Sequence, residues 1–138
     1  MHGLHLIAEL YACRGDQRLF DDAAILRELC IDACREPGLT PLGDLFHQFG
    51  DRRSGDHRQA GGVTGAVVLA ESHLAVHTWP ETKGVTLDLY VCNFSQDNRV
   101  AARQVSARLI AAFAPTRLIE REIERGTPML AAATSAGD

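Results

Sequence analysis

The 138-residue chain has no apolar run that approaches the roughly 20 residues needed to span a bilayer. It has no C-x-x-C pair among its four cysteines, and its first residues, MHGLHLIAELYAC, lack the basic segment of a signal peptide. The net charge of −4 argues against a general nucleic-acid binder. We therefore expect a cytoplasmic protein with neither a membrane nor a nucleic acid as partner.

Lysine is almost absent, because Lys83 is the one lysine among 14 basic residues. The content of hydrophobic residues, 46%, is that of an ordinary globular protein, and the length predicts one domain with a real core over residues 1–128. The closing residues 129–138 are predicted to be a disordered tail. Cys30 and Cys34 are spaced like neighbours on a helix face, so we expect them, like Cys13, to be buried apolar residues rather than disulfide partners.

Apolar periodicity predicts the element order β-α-β-β-β-α-β. The predicted strands cover residues 3–13, 40–49, 63–79, 84–92 and 116–126, and the predicted helices cover 21–38 and 96–115. The third strand is expected to be bent or interrupted near residues 71–73. Such an order predicts a two-layer α+β domain, with a mainly antiparallel sheet and both helices on one face. A second copy could cover the other face, which predicts a homodimer or a higher homo-oligomer.

The run AESHLAVHTWPE, residues 70–81, raises a question about chemistry. On a strand His73 and His77 share one face, and on the next strand Asp88 and Cys92 share one face. If these polar faces coincide, a hydroxyl, two imidazoles, a carboxylate and a thiol meet on one surface. Buried polar groups need partners or lose stability, so such a set is unusual for a strand.

The residues alone leave three interpretations open. The polar groups could satisfy one another at a sheet edge. Ser72 and a histidine could form a hydrolase, although no G-x-S-x-G turn is present. His73, His77 and Cys92 could bind zinc, although they complete no standard zinc spacing, and we expect no metal.

The run E-S-H-x-x-x-H-T-W-P-E, followed by Cys92 in DLYVC, resembles the prokaryotic S-adenosylmethionine decarboxylase family. The opening GLHLIAELYAC, the segment FHQF and the closing ERG extend this resemblance over residues 3–126. Members of that family are small pyruvoyl-dependent enzymes of polyamine synthesis. The resemblance implies that the chain cleaves itself between Glu71 and Ser72, into fragments of 71 and 67 residues, and that Ser72 becomes a covalent pyruvoyl cofactor.

The resemblance also implies how decarboxylation proceeds. The pyruvoyl ketone would form a Schiff base with the substrate amine and accept the electrons left when CO₂ departs. Pyridoxal phosphate usually supplies this electron sink from a lysine, and this chain has only Lys83, in a predicted turn. A ketone made from the backbone would serve without a separate cofactor.

Residue roles are implied by position in the family pattern. His77 would remove the serine α-proton during processing, with the hydroxyl of Thr64 in support. Cys92 would return a proton to the substrate. Glu81 would hold the ribose hydroxyls.

Aromatic and polar neighbours complete the implied site. Phe49 would pack on the adenine with Trp79 as a neighbouring ring, and aromatic faces also suit a sulfonium. Core packing is the alternative role for both rings. Glu9 and Tyr11, on the polar face of the first strand, are weaker site candidates.

The implied reaction is the conversion of S-adenosylmethionine to decarboxylated S-adenosylmethionine for spermidine synthesis. The sequence departs from the family pattern in a long loop at 50–62, in the turn ETKGV, and in LYVCNF, where FTCG is more usual. The loop is either a solvated surface loop or a substrate lid. These departures keep a pyruvoyl-dependent arginine or ornithine decarboxylase open as an alternative, with a non-enzymatic dimeric binding module as the more distant one.

Overall fold

The computed structural model describes residues 2–50, 61–94 and 96–126. The elements in chain order are β1 (His2–Tyr11), α1 (Arg18–Asp21), α2 (Ala23–Arg35), β2 (Pro41–Gln48), β3 (Val63–Leu69), β4 (Ser72–Trp79), β5 (Gly84–Cys92), α3 (Arg99–Phe113) and β6 (Arg117–Gly126). Most of the arginine-rich loop and the predicted tail lie outside the described residues. Within the described part, no helix is both long and apolar enough to cross a membrane.

All six strands form one antiparallel sheet in the order β2-β3-β4-β5-β1-β6, which confirms the α+β prediction. One detail of the prediction is corrected. Residues 63–79, predicted as one strand bent or interrupted near residues 71–73, form two paired strands, and the chain reverses at Ala70 and Glu71. Glu71 makes this reversal possible by adopting a left-handed backbone conformation, with φ at 71°.

Alternation along the strands separates a buried face from an open one, as the sequence predicted for β1. Leu4, Leu6, Ala8 and Leu10 are all at most 2% exposed and lie under the helices. Thr78 is the buried polar exception on this side of the sheet. Its Oγ1 donates to the carbonyl of Phe20 at 2.7 Å and accepts from the N–H of Val63 at 2.8 Å, so the hydroxyl ties α1 to the start of β3.

Each of the two long helices, α2 and α3, packs a stripe of buried residues against the sheet. Asp22 caps α2 by accepting hydrogen bonds from the N–H groups of Ala24 and Ile25. On α3 the buried stripe includes Ala102 and Ser106, while Ala101 and Ala112 are only partly covered. The single turn α1 was not predicted, and it is held by Phe20, whose ring lies 5.4 Å from that of Phe113.

The cysteines confirm the structural interpretation for three of the four positions. All four thiols are free. Cys13, Cys30 and Cys34 are at most 2% exposed, and burial raises the pKa of the Cys34 thiol to about 11. These three residues therefore act as small apolar side chains.

Candidate active site

The predicted polar faces of β4 and β5 do coincide. In the register of the two strands, His73 lies opposite Tyr90, and His77 lies opposite Thr86. Directly opposed residues of an antiparallel pair point to the same side of the sheet. The open face therefore carries the imidazoles, the carboxylate of Asp88 and the polar residues of β1 together.

The predicted cleavage position lies in the β3–β4 turn. Glu71 holds its left-handed conformation there, which costs a side-chain-bearing residue about 1–2 kcal/mol. Ser72 begins β4, and its Oγ is buried and lacks a hydrogen-bond partner. A buried hydroxyl without a partner is energetically costly, and such a group in a native fold indicates a role other than structure.

Cys92 lies at the same end of the sheet as Ser72. It follows Tyr90 by two residues at the end of β5, and Tyr90 already lies opposite His73. Continuing this register brings Cys92 beside the β3–β4 turn. Its partner on β1 is Gly3, and the residue is 8% exposed.

Thr64 and His77 form a pair at the opposite end of the β3–β4 hairpin. They are register partners, and Thr64 Oγ1 lies 3.2 Å from His77 Nδ1. Five residues of extended strand separate His77 from Ser72. At about 3.3 Å per residue this is a distance of about 16 Å. The structure therefore brings Thr64 into contact with His77 but does not bring either residue to Ser72 within one chain.

The His77 end opens into a cavity of about 400 Å³ that gathers five of the predicted site residues. Its lining comprises Phe49, Gly61, Gly62, Thr64, His77, Thr78, Trp79 and Glu81. The cavity contains aromatic side chains, a carboxylate, a hydroxyl and an imidazole. Its volume lies within the range of small-molecule sites.

Backbone hydrogen bonds to two glycines place Phe49 at this cavity. The Phe49 N–H donates to the carbonyl of Gly62, and the Gly61 N–H donates to the carbonyl of Phe49, both at 2.9 Å. A Cβ at Gly62 would lie only 1.9 Å from the carbonyl oxygen of Thr78, so a larger residue does not fit. Gln48 adds bonds from its side-chain nitrogen to the carbonyls of Phe49 and Gly61, both at 3.2 Å.

The weaker candidates Glu9 and Tyr11 lie in a neighbouring cavity of about 280 Å³. Trp79 lines both cavities. The Tyr11 hydroxyl donates to Glu9 at 2.9 Å, and this bond raises the pKa of the tyrosine. The two residues therefore flank the cavity that holds Glu81 without entering it.

Sequence reasoning missed a cluster at the centre of the open face. Asp88 Oδ1 lies 2.8 Å from His5 Nε2 and 3.3 Å from His73 Nε2, and the ring of Tyr90 packs near both imidazoles. The alternation that places His5 on the open face was the available signal. His73 is thus engaged with a carboxylate, and residues 2–50, 61–94 and 96–126 contain no group of three or more possible metal-ligating side chains.

Comparisons of the sequence and of the structure with known proteins all point to one family. The sequence model of the family described as S-adenosylmethionine decarboxylase matches residues 4–126. An S-adenosylmethionine decarboxylase proenzyme of Persephonella marina is 34% identical over 91% of this chain and 83% of its own. One from Pseudomonas aeruginosa is 38% identical over 78% of this chain, which spans 60% of that relative's length. The crystal structure of the adenosylmethionine decarboxylase from Aquifex aeolicus superposes with a TM-score of 0.74, at 31% identity and 91% coverage of both chains.

Proposed function

The chain belongs to the S-adenosylmethionine decarboxylase family, and on that premise we propose that it cleaves itself at Ser72 and decarboxylates S-adenosylmethionine. The observation that carries the proposal is the state of the β3–β4 turn. There the hydroxyl of Ser72 is buried without a partner, and Glu71 is held in a left-handed conformation. A nucleophile and a constrained peptide bond are thus adjacent in sequence and in space.

Self-cleavage needs no external reactant except water. Ser72 Oγ loses its proton and attacks the carbonyl carbon of Glu71, and collapse of the adduct breaks the peptide bond and leaves an ester. Removal of the Ser72 α-proton then expels the Glu71 carboxylate and leaves dehydroalanine at position 72. Its imine tautomer takes up water and releases ammonia, which leaves a pyruvoyl group. The unpartnered Ser72 hydroxyl fits this origin, since no hydrogen bond has to break before it attacks.

The pyruvoyl ketone would supply the electron sink that makes decarboxylation possible, and the chain's own groups would do the rest. Cys92, at the Ser72 end of the sheet, would return a proton to the substrate α-carbon. A thiol can donate this proton and recover it from solvent at neutral pH.

The geometry favours a homodimer, because one chain separates the parts of the site. Ser72 and Cys92 lie at one end of the sheet, whereas Thr64, His77 and Glu81 lie at the other, about 16 Å away by strand spacing. A twofold axis near the centre of the face would place the Ser72 end of one sheet against the His77 end of its partner. His77 would then act on Ser72 of the partner subunit.

The exposed apolar side chains of the open face support this arrangement. Leu45, Val68, Trp79 and Ile123 are 43–69% exposed. By register they lie on the side of the sheet opposite the helices. In a monomer the solvated face of an antiparallel sheet is usually polar. Exposed apolar side chains on such a face favour its burial against a second protein surface.

The cavity at the His77 end supports an adenosyl substrate. Glu81 offers a carboxylate that can accept two hydrogen bonds from a ribose diol. Phe49 and Trp79 expose 49% and 43% of their surface and provide aromatic faces for a purine and a sulfonium. A small basic amino acid has no diol, so its distal ammonium or guanidinium would instead pair with the Glu81 carboxylate. It also has no purine to pack on a ring.

Two measurements test the proposal. Intact mass of the purified protein should show fragments of 71 and 67 residues, whereas Ser72→Ala should remain one inactive chain of 15.0 kDa. Release of CO₂ should then be measured from S-adenosylmethionine, arginine and ornithine in parallel. Cleavage of Ser72→Ala would contradict the processing mechanism. Turnover of arginine or ornithine without turnover of S-adenosylmethionine would contradict the substrate but leave the cleavage chemistry intact.

A further inference from the structure

The loop between β5 and α3 carries three amide side chains, Asn93, Gln96 and Asn98, and the last two lie beside the predicted cleavage position. A small cavity of about 80 Å³ is lined by Ala70 and Glu71 on one side and by Gln96 and Asn98 on the other. Asn98 is 5% exposed, and its Nδ2 donates to the carbonyl of Cys92 at 2.9 Å. Asn98 is therefore held between the backbone of Cys92 and the β3–β4 turn.

Asn93 is the member of this cluster with an unused donor. Its Oδ1 accepts from the backbone N–H of Asn98 at 2.8 Å. A backbone N–H can be met only by an acceptor, so the oxygen must face Asn98 and the amide nitrogen must face away. That nitrogen, Nδ2, is buried and has no hydrogen-bond partner.

Two unpartnered buried groups thus lie at the same end of the sheet. Continuing the β4–β5 register past His73 and Tyr90 puts Val91 opposite Ser72 and Asn93 two residues beyond, on the same side of the sheet. One group, the Ser72 hydroxyl, is the proposed nucleophile, and the other, Asn93 Nδ2, is a hydrogen-bond donor. Each unpaired group costs about 1–3 kcal/mol of stability. A loop with only a structural role would gain nothing that offsets this cost.

From this pairing we infer that Asn93 assists self-cleavage by donating from Nδ2 to the oxyanion that forms on the Glu71 carbonyl oxygen. The inference rests on the self-cleavage proposed above. When Ser72 Oγ bonds to the Glu71 carbonyl carbon, the carbonyl π electrons move to its oxygen, and the serine proton leaves to a base. When the carbonyl re-forms, the C–N bond breaks and the Ser72 nitrogen takes up a proton. A fixed donor stabilises the charge between these two events.

Asn93→Asp separates this role from a structural one. The variant keeps the shape of the side chain and the oxygen that accepts from Asn98, but it replaces the free N–H₂ donor with a second oxygen and adds a negative charge. Removal of one oxyanion donor typically slows a reaction by about 100-fold or more, so the first-order cleavage of freshly synthesised Asn93→Asp should be slower by about that factor. Cleavage is followed by intact mass after a pulse of cell-free synthesis.

The matched control is Gln96→Glu. It makes the same amide-to-acid change on the same loop, at an amide whose nitrogen already donates to Asn98 Oδ1 at 3.0 Å. Its cleavage rate should stay close to that of wild type. A second readout is pH: the deficit of Asn93→Asp relative to wild type should shrink as the pH is lowered, because a protonated carboxyl regains a donor. A loop that is merely distorted would keep its deficit.

The outcomes are distinguishable. Wild-type cleavage rates in Asn93→Asp would overturn the role of Asn93 and leave self-cleavage intact. If the added charge prevents folding, as judged by circular dichroism, then Asn93→Ala is measured by the same criterion, and a wild-type rate there overturns the inference equally. Absence of cleavage in the wild-type chain would instead refute the proposed function itself.

Discussion

Complementation between two inactive variants tests whether the site is built from two chains. Ser72→Ala lacks the nucleophile but keeps His77, and His77→Ala keeps the nucleophile but lacks the base. Within one chain His77 lies about 16 Å from Ser72 by strand spacing, far beyond the reach of a direct proton transfer. We expect each variant alone to remain largely uncleaved, and the two together to regain cleavage.

The size of the expected recovery follows from the symmetry of the proposed dimer. Random pairing of equal amounts gives about half of the dimers as mixed pairs. In a mixed dimer one Ser72 faces an intact His77 from the other chain, and the other position holds alanine. About one quarter of all chains should therefore be cleaved, which is about half of those that carry Ser72.

The assay is co-expression of the two variants with different affinity tags, followed by tandem purification and intact mass. In the doubly tagged fraction every dimer is mixed, so the His77→Ala chain should be cleaved almost completely and the Ser72→Ala chain not at all. Mixed dimers that stay uncleaved would refute the two-chain site. Full cleavage of His77→Ala expressed alone would refute the role of His77.

Three further predictions concern single positions. Cys92→Ala should still be cleaved, but CO₂ release per cleaved chain should fall by about 10²–10⁴-fold, because general acid catalysis contributes factors of that order; undiminished turnover would remove Cys92 from the reaction. Glu81→Gln should raise the KM for S-adenosylmethionine by about 10–100-fold with a smaller change in kcat, as expected for loss of charge-assisted hydrogen bonds, and an unchanged KM would argue against a ribose contact. Thr78→Val should lower the free energy of unfolding in urea by about 2–4 kcal/mol, because it leaves the N–H of Val63 and the carbonyl of Phe20 unpaired; the exposed Thr82→Val is its control, and equal effects of the two would contradict the argument.

Periodicity was sufficient to predict the sheet, its antiparallel character and the two long helices. It was incomplete at residues 63–79, where one strand, bent or interrupted near residues 71–73, was predicted in place of two paired strands. Hairpin turns are usually announced by glycine, asparagine or proline, and Ala70 and Glu71 are none of these. The turn is formed by a glutamate in a conformation that side-chain-bearing residues rarely adopt, so local propensity gave no signal for it.

The shared face of the polar side chains was predictable for a different reason. Alternation along β4 and β5 showed that the polar side chains share one face, and the register confirms it. Sharing a face does not imply contact, because a strand spreads its residues along the sheet. The contact between Thr64 and His77 depends on the β3–β4 register, which is fixed by the turn that the sequence did not reveal. The Asp88 cluster and the free donor on Asn93 depend in the same way on cross-strand and loop packing.

The separation of Ser72 from His77 has a consequence for how the proposed enzyme would mature. A base that cannot reach the serine of its own chain leaves an isolated chain unable to complete β-elimination, however long it persists. Cleavage would then require that the open sheet face first be covered by a second copy, which also removes exposed side chains such as Val68 and Ile123 from water. A reactive ketone would form only inside an assembled site, where Cys92 from one chain and the cavity around Glu81 from the other are already in place. In this arrangement the same surface that drives assembly also controls when the cofactor is made.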